Sequence, residues 1–318
     1  MAIGRNEGER LMRCVRSVAG LGVPFVYVDS DSTDGSPERA RQLGAVVVQL
    51  DLSIPFTAAR ARNAGFRALM EQQPDLRFVQ FVDGDCEIVP GWIPAALDFL
   101  ESRPDVGVAC GRRRERHPDA SVYNLLCDME WDTPVGEAKA CGGDAMMRVE
   151  AFRQAGGFRD GLIAGEEPEL CVRIRAQGWK VYRLDHEMTL HDAAITRFGQ
   201  WWKRNVRAGH AFAEGAHLHG RPPERHWVRE TRSALLWGAV LPAIIAVTAI
   251  VLGPQALVLA LVYPAQVVRL ALRERGPIRT RVARAAFLVL GKFAEAAGVL
   301  KFVLRRRQGG PAELIEYK

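Results

Sequence analysis

The chain of 318 residues has no CxxC pair and no cysteine–histidine cluster at zinc-ligand spacing. Its six cysteines, at positions 14, 86, 110, 127, 141 and 171, are scattered. That scatter argues against a disulfide scaffold and a structural zinc site, and makes a reducing, cytosolic compartment the default. The opening MAIGRNEGERL lacks the apolar stretch of a secretory signal, so no leader is expected. Internal repeats and low-complexity tracts are also absent. What is present, 48% hydrophobic and 25% charged residues, is enough to bury a core in one large domain or two smaller ones.

The net charge of +6 conceals two opposite parts. Residues 1–200 hold 24 Lys and Arg against 30 Asp and Glu, whereas residues 201–318 hold 19 against 7, which predicts two different jobs. Residues 233–268 form a run of 36 without one charged side chain. Two bilayer crossings of about 20 residues each fit into it if a turn near Gly253-Pro254 divides the run. The expected hairpin is 235–252 and 256–272. Lys203, Arg204, Arg207, Arg221, Arg225, Arg229 and Arg232 precede it, and Arg269, Arg273, Arg275, Arg279 and Arg281 follow, so both ends are expected in the cytoplasm. A third apolar stretch, 285–304, carries Lys292, Glu295 and Lys301 and is expected as an interfacial amphipathic helix anchored by Arg305, Arg306 and Arg307. Because the basic residues flank apolar spans and do not interleave with aromatics on a soluble face, nucleic acid is not an expected partner.

The acidic part alternates in type. The runs 24–28, 45–50 and 78–82 read as buried parallel strands rich in Val and Phe, with helices predicted over 9–21, 36–43 and 57–71 and a later strand over 180–184. The alternation predicts an α/β sheet. In such sheets ligands bind beyond the carboxyl ends of the strands, and acidic residues gather there: Asp29, Asp31 and Asp34 after 24–28, then Asp83, Asp85 and Glu87 after 78–82. Clustered carboxylates repel unless a cation or donors compensate them. Asp83-Gly84-Asp85 sets a hard oxygen ligand on each side of a glycine, as Mg²⁺ or Mn²⁺ would require. An Asp-Gly pair after a strand is also an ordinary turn.

VDSDSTDGS (28–36), ARNAG (61–65), FVDGDCE (81–87), GGDAMMRVEAFRQAGGF (142–158), GEEPELCVRIRAQGW (165–179) and FGQWWKRNVRAG (198–209) follow one another in this order. Together they resemble a family 2 glycosyltransferase of the GT-A fold over residues 1 to about 210. The resemblance implies a Rossmann-like mixed sheet of the nucleotide-diphospho-sugar transferase type, followed by C-terminal membrane helices. The implied division is a catalytic domain over 1–210, a basic connector over 211–232, and the hairpin, interfacial helix and short tail over 233–318.

By the same resemblance, Glu7, Asp29 and Asp31 lie on the nucleotide side, with Arg62 near base or phosphates and Asp83 at the ribose or metal. Asp85 holds a divalent cation, Mn²⁺ or Mg²⁺, with His191 as an extra ligand. Glu167 stands where the family carries its general base, with Glu166 the second candidate, although GEEPEL also suits a helix N-terminus, where acidic side chains favour the dipole. Asp144, Trp201, Trp202 and Arg204 are candidates for acceptor or phosphate contact. Two departures accompany the match. The base position holds Glu in place of the usual Asp, and Ser30 replaces the second Asp of the common VDD pattern. The first strand is also expected to be short, about three residues.

The implied activity is inverting, metal-dependent transfer of a sugar from a UDP-, GDP- or dTDP-linked donor. The acceptor would be lipid-linked or a polysaccharide, at the cytoplasmic face of the cell inner membrane among its lipids. Two rivals are a polyprenyl-phosphate sugar transferase and a non-catalytic membrane subunit that kept the nucleotide-sugar fold.

Overall fold

The computed structural model describes residues 1–308 and Ile315, so the tail expected after the last helix lies outside the described residues. The chain divides into two compact units, one spanning Met1–Ala194 and one beginning at Ile195.

The first unit is built on a nine-stranded mixed sheet: β1 (Ala2–Gly4), β2 (Val26–Asp29), β3 (Val46–Gln49), β4 (Phe78–Asp83), β5 (Cys86–Ile88), β6 (Val106–Glu115), β7 (Gly136–Ala138), β8 (Ala145–Arg148) and β9 (Lys180–His191). The order is β3-β2-β1-β4-β8-β6-β9-β5, with β7 also on β9. The β3-β2-β1-β4 part is parallel, β8 runs antiparallel to both β4 and β6, and β6 pairs with β9 in parallel.

Two strands differ from expectation. The run 45–50 reads as buried, yet β3 is an edge strand with Val46 exposed. The strand expected to stop at 184 runs on to His191, because β6 offers pairing partners along its whole length, from Val106 opposite Lys180 to Glu115 opposite His191. β1 has the three residues expected of it.

The helices pack by stripes. Leu11, Met12, Val15 and Val18 form the buried face of Glu9–Val18 at helical spacing. Ala58–Gln72 is capped by the Thr57 hydroxyl, which accepts from the Arg60 amide at 3.1 Å. Its buried stripe is Ala59, Arg62, Phe66 and Leu69, so a guanidinium occupies an apolar position and needs counter-charges. Tyr27, Phe81, Trp92, Leu100, Met147 and Leu170 lie in the same core.

The second unit is helical. Phe198–His219 is followed by two helices long and apolar enough to cross a membrane, Val228–Leu252 and Pro254–Arg273, whose apolar windows are almost wholly unburied. Ile250, Val251, Leu252, Leu261 and Leu272 all stand exposed. In the last helix, Ile278–Gln308, one face is buried in protein contact through Ala285, Val289, Ala294, Ala296 and Val299, while Leu288, Leu300 and Leu304 stay exposed. Small residues make this possible. A Cβ on Gly209 would come within 2.0 Å of the Glu295 carbonyl oxygen, and one on Gly298 within 2.0 Å of that of Val206, so the two helix backbones touch. Lys292 and Glu295 neutralise each other at 2.6 Å.

Candidate active site

The site lies in the first unit, where β4 ends beside β8 and β5 pairs with β9. Arg62 is its hub. Its guanidinium is 2.6 Å from Asp83 Oδ1, 2.7 Å from Glu166 Oε1 and 2.7 Å from Glu167 Oε1, and it lies over the Phe158 ring at 5.6 Å. Burial works against its charge, but Glu167, Asp83 and Glu166 outweigh burial and hold the group above its ordinary value. Both glutamates open the helix Glu166–Ala176, where the dipole favours them. Glu169 on the same turn is committed elsewhere, to Arg159 at 3.0 Å and Arg173 at 2.6 Å. Burial pushes the Glu167 carboxyl up to about 7; Arg62 pulls it down, while Glu166 and Asp83 add to the rise.

A second arginine, which no motif singled out, completes the network. Arg113 reaches Asp83 Oδ2 at 3.0 Å and Asp144 Oδ2 at 2.9 Å, with Trp131 under its guanidinium at 5.5 Å. The register explains it: Arg113 is opposite Thr189, and Thr189 donates to the same Asp144 oxygen at 2.7 Å. Asp144 also accepts the Asp83 amide at 3.0 Å and is fully buried. Its carboxyl is held below the ordinary range: burial opposes this, and Arg113 and the hydrogen bonds override burial.

Asp85 meets a different partner. Because Cys86 is opposite His191 across β5 and β9, Asp85 Oδ2 lies 3.1 Å from His191 Nε2. The His191 ring lies tilted against Trp131, centroids 4.6 Å apart, and its Nδ1 is buried without a hydrogen-bond partner. Among the described residues, Asp85, Cys86 and His191 form one group able to share a metal ion, and Asp83, Cys86 and Asp144 another. In the second group both carboxylates are already taken by arginines. The first, a hard oxygen beside an imidazole, suits Mn²⁺ or Mg²⁺ better.

The structure thus brings Arg62, Asp83, Asp85, Asp144, Glu166, Glu167 and His191 into one neighbourhood. The remaining candidates of this unit lie around β1 and β2. Asp29 is buried and accepts from the Tyr27 hydroxyl and the Ser32 amide at 2.9 Å each; Glu7 pairs with Arg10 at 2.9 Å; Asp31 is exposed in the following loop. Trp201, Trp202 and Arg204 belong to the second unit, where Trp201 is buried against Phe287 at 5.0 Å.

Gly143 lets the loop before β8 close over this network. A Cβ there would meet Asp83 Oδ2 at 2.6 Å, Arg62 Nη2 at 3.0 Å and Arg113 Nη2 at 3.1 Å. Gly143→Ala is expected to cost about 1–3 kcal/mol of stability and to lower turnover at least about tenfold by displacing Asp83. Thermal melting and steady-state kinetics on the same preparation check it; unchanged values in both would refute the close fit.

Residues 4–154 match the family model of Glycosyl transferase family 2. The chain carries a family 2 glycosyltransferase domain. The fold of this glycosyltransferase is GT-A, and a mannosyltransferase from Pyrobaculum calidifontis, solved with GDP-Man and Mn²⁺, superposes with a TM-score of 0.56 at 19% identity, covering 95% of this chain and 85% of the other. Glucosyl-3-phosphoglycerate synthase from Mycobacterium tuberculosis, solved with phosphoglyceric acid, gives a TM-score of 0.50 at 17% identity over 70% and 79% of the two chains. No curated protein matches the sequence significantly.

Proposed function

We propose that this glycosyltransferase inverts the anomeric centre as it moves a sugar from a nucleoside diphosphate donor to a lipid-linked or saccharide acceptor at the cytoplasmic face of the inner membrane. The observation that carries the reading is Glu167: a buried carboxyl near neutrality, held at 2.7 Å by Arg62 in the same network as Asp83. Inversion asks for one base to take the acceptor hydroxyl proton while the hydroxyl attacks opposite the leaving group. Glu167 is that base, and Arg62 fixes its rotamer and keeps its negative form favourable. Asp83 is positioned by Arg62 and Arg113 to face the donor, with Glu7, Asp29 and Asp31 on the nucleotide side, while the buried Asp144 holds Arg113 in place and does not itself meet the acceptor.

The Asp85–His191 pair fits a divalent cation, since a carboxylate oxygen and the imidazole Nε2 converge at 3.1 Å in a buried position beside Cys86. When bound, such an ion supplies charge neutralisation for the departing diphosphate. The mannosyltransferase relative was solved with Mn²⁺, which supports the choice of metal.

The two apolar helices and their basic flanks support a membrane seat, with 1–210 as the catalytic part, 211–232 as the connector and 233–318 as the anchor. Trp202 and Arg204 would then serve the acceptor or its phosphate, whereas Trp201 packs the second unit against Phe287. The test uses the full chain in nanodiscs with UDP-, GDP- and dTDP-sugars, Mn²⁺ or Mg²⁺, and membrane lipid extract as acceptor source. Metal-dependent release from one donor is expected, falling at least about 10²-fold in Asp85→Ala. Donor release that survives both chelation and Asp85→Ala would refute the metal assignment, and failure to bind any donor would refute the transferase reading.

A further inference from the structure

All six cysteines are free and buried, but two of them are not apart. Cys141 Sγ and Cys171 Sγ are 3.6 Å from each other, although 30 residues separate them in sequence. Their positions matter more than their closeness. Cys141 begins the Cys141-Gly142-Gly143-Asp144 loop, whose Gly143 backbone is packed on Asp83, Arg62 and Arg113. Cys171 is one helical turn past Glu167 on Glu166–Ala176. The pair therefore joins the two segments that carry Asp144 and the candidate base. A position beside Gly143 has no slack, whereas Gly142 has open space around a would-be Cβ, which gives the loop one place to bend.

We infer that Cys141 and Cys171 are a redox-sensitive pair whose closure to a disulfide disables the transferase site. The inference rests on the site assigned above. A disulfide needs the sulfurs at about 2.05 Å, so closure brings them nearer by roughly 1.5 Å; the share of that approach taken up by the Cys141 loop reaches Asp83 and the two arginines through Gly143. The contact between the two favours the thiolate on Cys171 and the thiol on Cys141, with burial opposing charge on both. Hydrogen peroxide is a sufficient oxidant. A thiol of the pair gives up its proton and its sulfur attacks one peroxide oxygen; the S–O bond forms, the O–O bond breaks, and the hydroxide released takes up the proton as water. The second sulfur then displaces the oxygen from the sulfenic acid; the S–S bond forms, the S–O bond breaks, and a second water leaves. Two thiols are oxidised, one peroxide is reduced to two waters, and a dithiol reductant reverses the change.

The experiment treats full-length protein with hydrogen peroxide, alongside Cys141→Ala and Cys171→Ala as separate variants. Peptide mapping without reductant reads the linkage, donor turnover reads the consequence, and hydrogen exchange reads the loop and helix start independently of turnover. The expected result is a 141–171 linked peptide and altered exchange at 142–144 and 166–169. Turnover falls at least about tenfold and is restored by dithiothreitol, and both variants resist the loss. A linkage of Cys171 to Cys110, no linkage, or a 141–171 linkage that leaves both exchange and turnover unchanged overturns the inference. If no donor is ever turned over, the functional reading falls, while linkage and exchange still decide whether the pair closes on that loop.

Discussion

Glu167→Gln should lower kcat by roughly 10³-fold while donor affinity stays within about threefold, because a positioned base contributes about 10²–10⁴ to such a transfer. Glutamine keeps the shape and one hydrogen-bond acceptor toward Arg62, but it cannot take the acceptor proton. In the wild type the pH profile should show the base directly. Burial pushes Glu167 up to about 7, and only the ionised form works, so kcat/KM for the acceptor should rise tenfold per pH unit below that value and level off above it. Glu167→Asp shortens the reach by one methylene and should retain part of the rate while moving the acidic limb. If Glu167→Gln turns over normally and Glu166→Gln does not, the roles of the two neighbours are exchanged. If neither matters, the carboxylates serve only to hold Arg62.

How much of this was open to reading in the sequence depends on where each piece of information resides. The strand runs 24–28 and 78–82, the DGD turn and the acidic helix start are local patterns, and each appears where it was expected, whereas the run 45–50 is a strand at an exposed edge. β9 is different, since the residues beyond 184 become strand only because β6 pairs with them as far as Glu115. That extension is what brings His191 beside Asp85 instead of leaving it in a loop. Arg113 was invisible for a similar reason. It is the middle of three consecutive arginines; Arg112 goes to Asp128 at 3.0 Å and Arg114 to Glu187, and nothing in the sequence says which one faces Asp83. Arg62 did leave a signal, as a charge on the otherwise apolar stripe of Ala59, Phe66 and Leu69. For 285–304 the sequence left open which protein surface its inner face would meet; its Ala and Gly content is what lets that face pack closely on Phe198–His219.

The largest effect on stability should come from Arg62→Met. The side chain sits on the buried face of Ala58–Gln72 and is the common partner of Asp83, Glu166 and Glu167. Methionine fills the apolar slot, so the loss is electrostatic: buried carboxylates remain without their counter-cation, a change that typically costs about 3–5 kcal/mol. For a unit of this size that corresponds to a fall in Tm of about 6–20 °C. Asp83 is the most exposed of the three and keeps Arg113 at 3.0 Å, so most of the cost falls on the glutamates. The sign with pH follows. Without Arg62 the folded pKa of Glu167 rises further above its unfolded value, so the deficit is small near pH 4, where the carboxyl is mostly protonated in both states, and grows as pH rises through neutrality. Adding Glu166→Gln to Arg62→Met removes one orphaned charge and should recover part of the stability, although the same substitution alone should be destabilising. That reversal of sign, measured as a double-mutant cycle by denaturant titration, separates a charge network from simple packing. If Arg62→Met melts with the wild type at pH 8, the three carboxylates do not depend on Arg62, and the hub assigned to it is wrong.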